Sequence, residues 1–292
     1  MIGCAGTLNL NGLTAQELFT LGKQRYDNKK YIQAITVFQK IVYDYPGESI
    51  VDTAQYYLAL SYFGNDDYAV AHVEFNRLAS YYPSSVYVPS ALFMSAVSQY
   101  ESAPKNYGLD QSQVRESVQR FEDFLIDFPE SEVVPDVKAY LAKAKDRLAR
   151  KDFEAGMTYY RMGAVDAAKI YFQKVIDEYT GGDYAARALF YNGEIALKKR
   201  NYDEAQKQFT NFATVYPEHK WTGKAKEKAA EASFDGGKWA LDHGDPAKAK
   251  EEFQEFVNKY PNDKRVKKAQ DYLDQIGDIP VDSQTETASE GS

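Results

Sequence analysis

Two series of aromatic residues are the groups best placed, by type and spacing, to do chemistry, and that chemistry is recognition by ring faces. Phe19, Tyr56, Phe93, Phe153, Phe190 and Phe234 each stand three residues before a small one: Gly22, Ala59, Ala96, Gly156, Gly193 and Gly237. Tyr26, Phe63, Tyr100 and Tyr160 stand four residues after it, with Leu197 and Leu241 in that place in the last two copies. Offsets of three and four bring both series to one face of a helix. A row of rings offers large apolar area with polar edges, which suits an extended or helical segment carrying bulky side chains. The same rings would equally serve as packing between helices. Ligand contact is expected chiefly in the first three copies, giving Phe19, Tyr26, Tyr56, Phe63, Phe93 and Tyr100 as a candidate peptide groove.

Other chemistry is hard to assemble. His72, His219 and His243 are scattered without metal-ligand spacing, and the only cysteine is Cys4, which leaves no intramolecular disulfide or multi-cysteine metal site. There is no glycine-rich phosphate loop or nucleophile elbow, and Thr180-Gly181-Gly182 reads as a turn between helices. Carboxylates lie on periodic polar faces. No catalytic residue, metal or cofactor is therefore expected, and the chain reads as a binding protein. Its formal net charge of −8 argues against nucleic acid, which calls for a basic face. The basic runs Lys224, Lys226, Lys228 and Lys264, Arg265, Lys267, Lys268 read as solvated faces, with electrostatic docking as the alternative. No apolar run is long enough to span a bilayer.

The start, Met1-Ile2-Gly3-Cys4-Ala5-Gly6, is similar to the end of a bacterial lipoprotein signal, in which small residues surround a cysteine that becomes the acylated N-terminus. Lipidation of Cys4 is one expectation and an incidental cysteine the other; three preceding residues are too few for a signal's charged and apolar parts. A covalent lipid there would be the one non-protein group. Residues 1–13 then read as a tether.

The elements that must carry the rings are marked by a refrain. Phe38, Ile41, Tyr45, Pro46 returns as Phe75, Leu78, Tyr82, Pro83, as Phe121, Phe124, Phe128, Pro129, and as Phe172, Val175, Tyr179 with Thr180 in place of proline. Phe209, Phe212, Tyr216, Pro217 and Phe253, Phe256, Tyr260, Pro261 complete it. Each copy predicts a helix stopped by proline, which cannot continue it. Small residues face each other across each helix pair, Gly22 against Ala34 in the first, with Phe38 filling the gap. This is the tetratricopeptide (TPR) pattern. It predicts an all-α TPR superhelix, an α-solenoid of five to six helix-turn-helix repeats with a C-terminal capping helix, and both ring series would face its inner side.

The repeat length is 37 where regular, and its departures are informative. Nine extra residues around 101–109 predict a loop inside the third repeat. Extensions of 14 and 7 residues are whole pairs of helical turns, predicting long helices from about Pro135 to Met162 and about Trp221 to His243. The expected organisation is a tether at 1–13, repeats one to three at 14–129, the long helix, repeats four to six and a cap at 130–277, and an aperiodic acidic tail at 278–292. The lysine and asparagine with which some TPR proteins clamp a C-terminal carboxylate are missing: Phe19 and Lys23 stand in their places.

Lys145-Asp146-Arg147-Leu148-Ala149 followed by Tyr159 and Gly163-Ala164 on the long helix, the looped third repeat with its Phe121 to Pro129 ending, and Cys4 together resemble the BamD family of lipoproteins. The resemblance covers about residues 14–217; a sixth repeat, a cap and an acidic tail go beyond the family's usual five repeats. It implies a non-catalytic scaffold at the periplasmic face of the outer membrane, held by lipid on Cys4. The C-terminal repeats would dock a POTRA domain of the barrel-forming subunit BamA and other lipoproteins of the assembly machinery, around Arg147, Tyr159, Tyr160, Tyr171 and Arg187. The N-terminal rings would receive the aromatic C-terminal segments of unfolded outer-membrane proteins. The other readings are a periplasmic TPR adaptor of cell-wall or division complexes and a cytosolic TPR scaffold.

Overall fold

The computed structural model describes residues 9–277; Cys4 and the acidic tail lie outside them. Thirteen α-helices run through the described residues, six pairs and a final single helix. The pairs are α1 (Ala15–Asp27) with α2 (Tyr31–Asp44), α3 (Val51–Gly64) with α4 (Tyr68–Tyr81), and α5 (Val88–Ser102) with α6 (Ser112–Asp127). They continue as α7 (Val134–Arg161) with α8 (Val165–Glu178), α9 (Asp183–Lys198) with α10 (Tyr202–Val215), and α11 (Thr222–Asp242) with α12 (Pro246–Lys259); α13 (Val266–Gly277) closes the series. Each helix packs on its sequence neighbours, as in an α-solenoid of TPR repeats. The chain divides into two compact units inside α7, at Lys151/Asp152. Val137, Tyr140 and Ala144 of α7 belong to the first unit, and Phe153, Gly156 and Tyr160 to the second.

The small-residue rule holds at atomic level. A Cβ on Gly22 would stand 2.7 Å from Phe38, on Gly156 2.7 Å from Phe172, on Gly193 2.8 Å from Phe209, and on Gly237 2.8 Å from Phe253. Those four phenylalanines are fully buried, so the glycines are what lets the paired helices approach. Seven residues after the small position the backbone turns with positive φ in five repeats, at Lys29, Asp66, Gly163, Arg200 and Gly244. Three of these are not glycine, so a modest local strain is accepted at a position the tertiary packing dictates.

Two expectations need correction. Proline is not what ends the refrain helices: Tyr179, followed by threonine, caps α8 with φ −126° and ψ 47°, close to the −128° and 46° of Tyr45 before Pro46. The cap residue's N–H reaches the carbonyl of the buried residue four back in every copy, and that shared turn suffices. Nor are residues 9–13 a free tether. Leu10 is buried in the first repeat's core, Leu13 packs beside it, and the Leu13 carbonyl accepts a 2.8 Å hydrogen bond from the Tyr45 hydroxyl. Two leucines in an otherwise polar stretch supply the apolar area that docks it. Thr14 and Glu17 form a capping box at the start of α1.

Candidate binding surface

The rings predicted to meet a ligand are held by a residue that periodicity alone does not single out. In the first repeat Phe19, Tyr26 and Phe38 converge on Tyr57 of the next helix, at centroid distances of 5.7, 5.4 and 5.7 Å. In the third, Phe93, Tyr100 and Phe121 converge on Tyr140 at 5.8, 6.1 and 6.2 Å. In the fourth, Phe153, Tyr160 and Phe172 converge on Tyr191 at 5.9, 5.2 and 5.6 Å. Tyr272 receives Phe234 and Phe253 likewise in the sixth. Each of these tyrosines lies 35 residues after its small residue, once the nine-residue loop is allowed for. Edge, tilted and stacked ring contacts of this kind add to area burial. In the second repeat Met94 stands at that place, so Phe63 rests instead on Tyr68, 5.1 Å away. The Tyr68 hydroxyl donates to Asp66 and its pKa is pushed up to about 12, chiefly by that bond.

Phe19, Tyr26, Tyr56, Phe63 and Tyr100 are half-buried, each packed on one side and open on another. Tyr56 lies flat on Tyr87, 4.7 Å away, and burial raises its pKa. Phe93 departs from the expectation: at 8% exposed it is enclosed by Phe121 and Tyr140 and serves packing. The surface on offer in the first unit is therefore five rings, not six.

The third repeat's loop is built, not slack. The buried Gln111 amide points at the carbonyls of Pro104, Asn106 and Asp110, all within 3.2 Å. From α7, Arg147 donates to the Pro104 carbonyl and Lys151 to that of Leu109, 2.8 Å away. The loop, the end of α5 and α7 line an open cleft of about 390 Å³, with Tyr100, Tyr107, Lys143, Arg147 and Arg150 among its walls. Arg147 sits 5.4 Å from the Tyr100 ring centroid, and Arg150 4.2 Å from that of Tyr107.

The residues expected to dock a partner are distributed differently from one another. Arg147 is used within the first unit, on the loop. In the second unit Tyr159 stacks on Tyr171 at 5.4 Å and is 36% exposed, beside the exposed Met162 and Ile170 of the same repeat. Tyr160 carries the Lys198 ammonium 3.6 Å from its centroid. Arg187 pairs with Asp183 at 2.6 Å and lies against Tyr184 and Trp221. The two basic runs are partly neutralised: Lys228 by Glu194 and Glu231, Lys264 by Glu227, and Arg265 by Asp263.

Titratable groups elsewhere act structurally. His72 bonds Ser95 of the next helix, with its pKa lowered by burial; His219 meets Asp183 at 3.0 Å, and His243 stacks on Trp239. Among the described residues no group of three or more His, Cys, Asp or Glu could hold a metal ion, and no helix is long and apolar enough to cross a membrane. Glu252 is the carboxylate most out of its usual range. Burial first, then the neighbouring Asp203 carboxylate, raise its pKa to about 7, against the opposing effect of Lys248. The native state thus holds this proton more tightly than the unfolded chain, and its contribution to stability falls as pH rises from about 4.5 to about 7. Glu252→Gln is expected to remove about 1 kcal/mol of that dependence, the group being partly solvated. Thermal unfolding of both proteins from pH 5 to 8 measures it, and parallel profiles would refute it.

Comparison with known proteins agrees with this architecture. A tetratricopeptide-repeat model matches residues 223–263. The chain is 28% identical to outer membrane protein assembly factor BamD of Rickettsia prowazekii, over 75% of this chain and 88% of the relative. It is 22% identical to the BamD of Caulobacter vibrioides, over 75% and 73%, and 24% identical to that of Neisseria meningitidis serogroup B, over 64% and 73%. The model of the family described as outer membrane lipoprotein, YfiO, matches residues 12–195, from the docked Leu13 through the loop and the long helix, and the chain belongs to that family.

Proposed function

We propose that the protein is a non-catalytic scaffold for the assembly of outer-membrane proteins. Its relatives bear the name of outer membrane protein assembly factors, which supports the process. The observation that carries the finer reading is the row of half-exposed rings in the first unit: Phe19, Tyr26, Tyr56, Phe63 and Tyr100. A surface of supported rings suits the aromatic C-terminal segments of unfolded outer-membrane proteins, received before insertion. The second unit docks the barrel-forming subunit BamA through a POTRA domain, and other lipoproteins of the complex, with Tyr159, Tyr160, Tyr171 and Arg187 as the contact candidates. Lipid on Cys4 anchors the chain at the periplasmic face of the outer membrane.

The test separates the two surfaces. Phe63→Ala with Tyr100→Ala is expected to weaken binding of a barrel-protein C-terminal peptide by about 2 kcal/mol, while BamA binding and the folded state are retained. Tyr159→Ala with Arg187→Ala is expected to do the reverse. Peptide titration, co-elution with BamA and circular dichroism read the outcomes. Unchanged peptide affinity in the first variant would remove the receiving surface from the proposal.

A further inference from the structure

We propose that the cleft between the fifth and sixth repeats is a saccharide site, in which one pyranose ring of a glycan lies on Trp239 and the polar groups around it meet the hydroxyls. The cleft measures about 250 Å³, with Tyr202, Trp239, Arg200, Lys248, Asp203 and Glu252 among its walls. It lies wholly within the second unit and beyond the residues that the lipoprotein family model matches. Nothing in it depends on the ring surface of the first unit.

Its rings are where the repeat pattern is broken. Two residues after the small position the first five repeats carry Gln24, Ser61, Ser98, Thr158 and Ile195, and only the sixth carries an aromatic, Trp239. Packing does not call for an aromatic at that place, since five repeats do without one. Trp239 is 37% exposed, and His243 steadies it by stacking at 4.2 Å. Tyr202 departs in the same way. Its counterparts Tyr31 and Tyr68 are covered by Tyr26 and Phe63, at 5.7 and 5.1 Å. In the fifth repeat Leu197 stands in that covering place, and Tyr202 has no ring partner among the described residues. A Cβ on Gly236 would stand 3.3 Å from Cβ of Tyr202 and 3.5 Å from Oε2 of Glu252, so the glycine keeps the cleft open between them. The C–H face of a sugar ring is apolar and suits an exposed aromatic face that is wet at its edges.

The polar lining is balanced, and that decides the ligand class. Lys199, Arg200 and Lys248 line the cleft together with Asp203 and Glu252. Lys199 is paired with Asp166, and Lys248 with Asp203 at 3.5 Å. Glu252 is hydrogen-bonded to Asp203, and burial with that neighbour keeps a proton on it up to about pH 7, so the carboxyl pair donates as well as accepts. Asn201 spends its side-chain oxygen on the Glu204 N–H, at 3.2 Å, which leaves its amide N–H groups as donors. The Arg200 guanidinium has no partner among the described residues. An anion entering here would meet Asp203, and a cation would meet three positive side chains. A neutral polyhydroxyl ligand, each of whose hydroxyls donates and accepts, matches both kinds of wall. The volume is below that of pockets for drug-sized ligands and suits a single ring.

The probes are two soluble tetrasaccharides, one of N-acetylglucosamine and one of glucose, titrated into the full-length protein by calorimetry and by tryptophan fluorescence. At least one is expected to bind saturably with a dissociation constant of about 1 mM or below. Preference for the first identifies an acetamido glycan, and equal binding identifies the sugar ring itself as what is recognised; either supports the site. Trp239→Ala should weaken binding at least about tenfold and remove the fluorescence change, while Trp239→Tyr keeps most of the affinity. Arg200→Asn is the variant that leaves the fold untouched, because the side chain is exposed and asparagine tolerates the positive φ of 56° at that turn. It should weaken binding about threefold or more, with an unchanged thermal melt. No saturable binding of either sugar up to about 10 mM, or binding that both variants leave intact, would overturn the proposal. Inorganic phosphate that binds in place of the sugars, and loses its affinity in Arg200→Asn, would make the cleft an anion site and overturn it as well.

Discussion

Replacing Gly193 by alanine is expected to destabilise the protein by about 2 kcal/mol, against the roughly 1 kcal/mol by which alanine is the better helix former. The new Cβ would stand 2.8 Å from Cε1 and Cζ of Phe209, closer than such contacts allow. That ring has no exposed surface and no free side to move into, packed as it is against Phe190 at 5.1 Å. Overpacking therefore outweighs propensity. Gly223, also in a helix, is the control: nothing lies within 4 Å of its Cβ position, and alanine there should stabilise by about 0.5 kcal/mol. The cause can be isolated with Phe209→Leu, since the shorter side chain vacates the contested space. The double variant should lose less than the two singles together, by at least about 0.5 kcal/mol. Denaturant unfolding of the four proteins measures the cycle. A Gly193→Ala protein as stable as the parent would show that the helix pair can spread, and that the glycine series is not a packing requirement.

Tyr140→Ala should cost about 3 kcal/mol, more than its position on a long, charge-rich helix suggests. Its ring is the common contact of Phe93, Tyr100 and Phe121, so removal leaves a gap shared by α5, α6 and α7. Tyr140→Phe should stay within about 0.5 kcal/mol, because the ring and not the hydroxyl makes these contacts. A functional consequence follows from the geometry. Tyr100 loses the ring that steadies it, so peptide binding at the third repeat should weaken in the alanine variant and survive in the phenylalanine one. If Tyr140→Ala left both stability and peptide affinity unchanged, the convergence of rings would be incidental. Thermal melts and peptide titration on the same three proteins decide.

Much of the architecture follows from local pattern. The offsets of three and four fix which face of each helix is buried, and the 37-residue period fixes the number of pairs. Extensions of 14 and 7 residues could be read as longer helices because they preserve the helical phase. The structure places those helices at Val134–Arg161 and Thr222–Asp242, within a residue of the expected limits. The pairing of Gly22 with Phe38, and of its later copies, was legible for the same reason: two residues of fixed spacing on two adjacent helices must meet.

What needed tertiary structure was everything set by a third helix. Tyr57, Tyr140, Tyr191 and Tyr272 share a period, but each acts on the repeat before its own, and no helical face in the sequence announces that. The periodic rings could be named as packing or as surface, yet enclosure from the next repeat put Phe93 inside and left Tyr100 half open. The loop was visible as nine surplus residues, while its order depends on Gln111, Arg147 and Lys151 reaching carbonyls, three of which lie five or more residues away in the chain. Arg147 shows the division most clearly. By sequence it stands among candidate docking residues on a long helix, and in the fold its guanidinium closes a loop and shapes a cleft. Periodicity determines which side of a helix faces in, because that is a property of one helix. Which ring stays open, and where cations gather around it, is decided by neighbours far along the chain, whose positions only the packed repeats define.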